Sequence, residues 1–95
     1  MAGTPWLRLK GLLGSKGLQP GEGVLIRPAA SIHTCFMRFP IDAVFLDGDL
    51  TVLCVVTGLR PWRAASCAGA RAVLELAEGE CRRRQVRPGD RLRVN

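Results

Sequence analysis

His33 is the one histidine of the chain, and it lies in the stretch richest in groups able to do chemistry, Ser31-Ile-His-Thr-Cys-Phe-Met-Arg-Phe-Pro-Ile-Asp42. Alternate residues of a strand share a face, so His33, Cys35 and Met37 would form a row of soft donors of the kind copper accepts. No fourth ligand stands beside them, and such a row is ordinarily a core face with one hydrogen-bonded histidine; we expect no metal. A His33–Cys35 base and nucleophile pair fails on distance, because neighbours on one strand face lie ~7 Å apart. Arg38 and Asp42 flank Pro40, where an ion pair would fix the bend and ligand contact is the alternative. His33, Thr34, Met37, Arg38 and Asp42 are therefore the candidate ligand-binding residues, gathered around a strand interruption where concave sites form.

Other chemistries have few parts to work with. No Ser-His-Asp order, phosphate loop, HExxH or dinucleotide fingerprint occurs. Glu75 lies in an apolar run and is either an acid with a raised pKa or a group turned to water or an arginine. Asp47 and Asp49 read as turn residues, and a calcium site is not supported. Cys35, Cys54, Cys67 and Cys81 contain no CxxC pair, which removes zinc-knuckle and thioredoxin-like motifs. We expect four mostly buried free thiols. The expected function is a non-catalytic binding or accessory module that holds a small ligand or a protein partner and needs no cofactor. The alternative is an enzyme with His33 as general acid or base, since imidazole titrates near neutrality; its catalytic residues are otherwise unknown.

The net charge of +6 is concentrated at one end. Arg82, Arg83, Arg84, Arg87, Arg91 and Arg93 face a single acid, Asp90, in the last stretch of the chain. None of Trp6, Phe36, Phe39, Phe45 and Trp62 falls in that stretch, so a stacking platform for single-stranded nucleic acid is missing. A solvated basic edge is expected, with nucleic-acid binding through this patch as a further alternative. An apolar fraction of 47% excludes a disordered chain. The longest strongly apolar run, residues 52–56, falls far short of the ~20 residues that span a bilayer, so no membrane partner is expected. The first residues hold no apolar stretch of signal-peptide type, and the expected location is cytoplasmic. At 95 residues, one domain covering 1–95 is expected.

The elements that must position these groups are mainly strands. Thr4-Pro5 followed by Leu7, Leu9, Leu12 and Leu13 predicts a short N-terminal helix. Gly17, Pro20, Gly21 and Gly23 mark a loop. Strands are expected over 24–27, 32–39, 41–46 and 50–56, the last two joined as a hairpin through Asp47-Gly48-Asp49. Further strands are expected over 63–67, 70–76 and 91–94, with Glu80 opening a helical turn over 80–85. On 41–46, Ile41, Ala43 and Phe45 are expected to face the core. The pattern predicts a small antiparallel sandwich or partly closed barrel with one or two short helices.

The ordered elements His33-Thr34, Met37-Arg38-Phe39-Pro40-Ile41-Asp42 and Phe45-Leu46-Asp47 resemble the domain of unknown function 192 family, DUF192. The likeness extends to Gly11-Leu12-Leu13-Gly14, Leu59, Pro61, Val73-Leu74-Glu75-Leu76, Gly79, Gly89 and Asp90, nearly the whole chain. The resemblance implies a compact, mainly β domain of sandwich type and supplies no reaction. Many members begin with an additional strand and some with an export signal. We expect neither here, with the place of that edge strand empty or taken by another segment.

Overall fold

The computed structural model describes residues 6–8, 22–34 and 38–92. Ile41-Asp-Ala-Val-Phe-Leu46 forms the central strand β4 (Ile41–Leu46), and all six of its residues are buried. A run apolar at every position but Asp42 fits a strand covered on both faces. β4 pairs antiparallel with β5 (Val52–Leu59) on one side and β7 (Ala72–Ala77) on the other. β7 pairs in turn with β2 (Glu22–Ile26), and β2 with β1 (Trp6–Arg8). The order of this five-stranded sheet is β1-β2-β7-β4-β5. β3 (Ser31–His33) and β6 (Ala64–Ser66) form a separate two-stranded ribbon. One helical turn, α1 (Glu80–Arg83), follows β7. Among the described residues the two antiparallel sheets do not close into a barrel.

Each face of β4 anchors its own core. Ile41, Ala43 and Phe45 pack with Val73, Leu59 and Ile32 on the side of the ribbon. Val44 and Leu46 pack with Leu25, Leu74 and Cys81 on the other, against which Val86 and Leu92 of the C-terminal segment also lie. Phe45 therefore faces inward as expected, but Asp42, Val44 and Leu46 are equally inside. The hairpin turn closes with Asp47 N–H donating to the Thr51 carbonyl at 3.0 Å. The Asp47 carboxylate accepts the amides of Asp49 (2.8 Å) and Thr51 (3.0 Å). The left-handed residue of this turn is Leu50, at φ 65°, and not Gly48.

Four expectations are corrected. Residues 6–8 form an edge strand in place of a helix: pairing with β2 overrides the local capping signal of Thr4-Pro5, and the edge position is filled. Of the strand expected over 32–39, the described residues form β3 over Ser31–His33, and Thr34, Arg38 and Phe39 lie outside it. The terminal strand over 91–94 reduces, among the described residues, to a bridge between Thr51 and Arg91. Cys54 and Cys67 are joined in a disulfide with their Cα atoms 6.4 Å apart, where free thiols were expected. Cys81 is free and buried.

Candidate functional site

The segment from His33 to Asp42 leads from the ribbon into the central strand, and two of its side chains do structural work on backbone. Thr34 is fully buried. Its hydroxyl donates to the Arg60 carbonyl at 2.6 Å, lies 3.1 Å from the Arg63 carbonyl, and accepts the Arg63 N–H at 2.8 Å. The Thr34 amide donates to the Arg63 carbonyl (2.7 Å), and its carbonyl accepts the Trp62 N–H (3.1 Å). One threonine thereby clamps the whole 60–63 turn, including Trp62 in the left-handed region at φ 62°.

Asp42 is also fully buried. Its Oδ1 accepts the Gly58 N–H, and its Oδ2 accepts those of Gly79 and Cys81, each at 3.0 Å. These three amides belong to an irregular end of β5 and to the β7–α1 turn. Gly58 and Gly79 both adopt positive φ (63° and 93°), the conformation that turns their N–H groups onto the carboxylate. The β4–β5 register shifts between Ile41 and Ala43, beside Asp42. No ion pair joins Asp42 to Arg38, which is exposed: the carboxylate is satisfied by backbone instead.

Because Ile41 pairs with both Leu59 and Ala77, the 38–40, 60–63 and 78–79 segments leave the sheet at one end. Around this end Trp62 is 61% exposed and Phe39 38%, the two large hydrophobic side chains most open to solvent among the described residues. His33, Arg38, Arg60 and Arg63, in the segments at this end, are also exposed, with Glu78 as the acid of the 78–79 segment. Of the five candidate binding residues, His33 and Arg38 thus face solvent, while Thr34 and Asp42 lie inside. Met37, with Cys35, falls outside the described residues. Among the described residues no three His, Cys, Asp or Glu side chains gather as a metal site.

The family model for DUF192, described as an uncharacterized ACR, matches residues 1–94. The chain belongs to the DUF192 family. No curated protein matches the sequence. A solved structure similar to this DUF192 chain is that of a protein of unknown function from Novosphingobium aromaticivorans DSM 12444, with a TM-score of 0.69 and 26% identity. The match covers 90% of this chain and 62% of that one, so this chain spans less than two thirds of its neighbour's length.

The basic patch of this DUF192 domain is less free than its composition suggests. Glu80 is buried and accepts Arg83 Nη2 at 2.6 Å and Arg84 Nε at 2.9 Å. Burial pushes the Glu80 carboxyl up, but the hydrogen bonds and charges of Arg84 and Arg83 outweigh it and hold the pKa below its ordinary value. Arg91 donates to the Asp49 carbonyl (3.2 Å), Arg82 and Arg87 are exposed, and Arg93 lies outside the described residues. Half-buried Glu75 has its pKa raised by desolvation. Burial, followed by the charge and hydrogen bond of Asp42 and the charge of Glu80, pushes the Cys81 thiol up to about 12, which leaves it protonated and inert. Among the described residues, no helix is long and apolar enough to cross a membrane.

Sequence reasoning missed Trp62, Arg60 and Arg63. The signal was a Pro61-Trp62 turn between two strands, an aromatic where turns normally carry small polar residues.

Proposed function

We propose that this chain is a one-domain, non-catalytic binding module that holds a ligand or a peptide at the loop end built around the segment from His33 to Asp42. The observation that carries the reading is the Thr34 clamp. It fixes the 60–63 turn that carries the left-handed, exposed Trp62, at the same end of the sheet as exposed Phe39, Arg38, Arg60 and Arg63. An exposed tryptophan on a rigid backbone offers large contact area at low ordering cost, and aromatic and arginine side chains are the ones that dominate binding energy at interfaces. The surrounding cations favour an anionic or carbonyl-rich partner. Asp42 supports the same end by tying β4 to the end of β5 and to the β7–α1 turn, so Thr34 and Asp42 position the surface and His33, Arg38 and Trp62 would touch the ligand.

A screen of small anionic fragments and short peptides, read by amide shifts in heteronuclear spectra, tests this. Shifts centred on residues 33–34, 38–42 and 60–63 support it. Hits that map elsewhere, or none at all, overturn it. A cytoplasmic location is carried forward as an expectation, and the Cys54–Cys67 bond weighs against it, because disulfides persist mainly in oxidising compartments. Alkylating thiols in freshly opened cells decides between the two: cytoplasmic protein should yield Cys54 and Cys67 modified.

A further inference from the structure

β5 ends the five-stranded sheet, and among the described residues its outer edge is occupied only at the start. There Val52 N–H donates to the Asp90 carbonyl at 2.7 Å, and the Val52 carbonyl accepts the Gly89 N–H at 2.8 Å. Residues 53–57, Leu-Cys-Val-Val-Thr, carry no charge and no proline, the usual devices that blunt an edge. Irregularities of the β4–β5 ladder fall on either side of the pairs Cys54–Phe45, Val55–Val44 and Val56–Ala43, so this middle stretch keeps regular strand geometry. The disulfide to Cys67 fixes Cys54 on the ribbon side. Val55 and Thr57 therefore alternate to the opposite face. There they line a groove of about 380 Å³ with Cys81, Val86, Arg82 and Arg87.

The groove is apolar at Val55, Cys81 and Val86 and cationic at Arg82 and Arg87. These two arginines form no ion pair among the described residues, unlike Arg83 and Arg84, which Glu80 holds. Backbone donors and acceptors along an uncharged edge, a side-chain groove next to it and cations on its rim form a complementary surface for one kind of ligand. We propose that β5 and the groove beside α1 dock an extended acidic segment of a partner protein, which adds to the sheet as a further strand. Its backbone pairs with 53–57, and the side chains of one alternate set enter the groove, apolar ones against Val55 and Val86 and carboxylates against Arg82 and Arg87. A second copy of this chain is the poorer occupant. Edge-to-edge pairing through β5 brings two like-charged patches together on molecules of net charge +6 each.

The probe is a fluorescein-labelled octapeptide whose odd positions alternate Val and Glu and whose even positions are Thr, so that one face carries both groups, titrated with the full chain and read by anisotropy. Two further forms carry N-methyl groups on one or the other set of alternate residues, which removes hydrogen-bond donors without changing charge. Expected is saturable binding that weakens at least tenfold in one of the N-methylated forms and at least tenfold in an Arg82→Glu/Arg87→Glu variant. Both arginines are exposed, so an unchanged urea midpoint verifies that the variant is folded. Equal binding of all three peptides overturns strand addition and leaves plain charge attraction. Undiminished binding by the arginine variant, tighter binding of a ten-residue oligo-dT than of the peptide, or sedimentation of the free chain as a dimer also overturns the proposal.

Discussion

Replacing Asp42 by alanine withdraws one acceptor from three amides that have nowhere else to go. The Cys81 N–H bond is buried, whereas those of Gly58 and Gly79 lie closer to solvent. A buried donor left unsatisfied costs about 1–3 kcal/mol. Taking about 2–3 for Cys81 and about 1 each for the other two, where water can enter, gives a loss of about 4–5 kcal/mol. A domain of this length holds ~5–14 kcal/mol in total, so Asp42→Ala should be marginal or unfolded at room temperature. Asp42→Asn should fare little better, because its NH₂ group would confront an N–H donor. The assay is urea unfolding followed by far-UV circular dichroism, which needs no ligand. A loss below about 1 kcal/mol in both variants would refute the claim that this carboxylate fastens β4 to the β5 end and the β7–α1 turn.

Phe45→Ala, at a side chain with no solvent exposure, should cost ~3–5 kcal/mol in urea melts, against about 1 kcal/mol or less for Asp47→Ala in the exposed turn. Reducing Cys54–Cys67, a bridge of sequence separation 13, should lower stability by about 3 kcal/mol; an unchanged midpoint with and without reductant would contradict it. The Glu80 carboxyl sits below its ordinary value of 4.5 in the folded state, so its ion pairs stabilise above that pH and lose their effect as pH falls through the folded pKa. Midpoints measured from pH 6 to pH 3 should therefore fall less steeply in Glu80→Gln. Glu75 has the opposite sign: its raised pKa means the charged form opposes folding, so Glu75→Gln should be the more stable at pH 7 and lose that advantage under acid.

The sequence carries the central hairpin plainly, through a run over 41–46 that is apolar except for Asp42, an Asp-Gly turn and a β-branched run beyond it. The pattern of alternation did not say that β4 is covered on both sides, because Asp42 looked like an outward residue. A lone carboxylate among Ile, Ala, Val, Phe and Leu was instead the mark of a buried group needing several donors. What remained illegible is what depends on distant partners. The hydroxyl of Thr34 meets Arg63 across a separation of 29 residues, and the disulfide joins cysteines whose spacing matches no local motif. Trp6–Arg8 carries a local helix signal that pairing with β2 reverses. His33 illustrates both outcomes: it stands on a strand as expected, that strand ends at His33, and Cys35 and Met37 of the expected row lie outside the described residues.

The loop end carries the central claim, and a paired comparison tests it directly. Spectra of the native chain and of a Trp62→Ser/Arg38→Ser variant are recorded against the same anionic fragments and peptides. Both side chains are exposed, so the urea midpoint should stay within about 0.5 kcal/mol of native. The account predicts that ligands shifting residues 38–42 and 60–63 of the native chain lose at least tenfold in affinity for the variant. Equal affinity for native and variant, at equal stability, would contradict it.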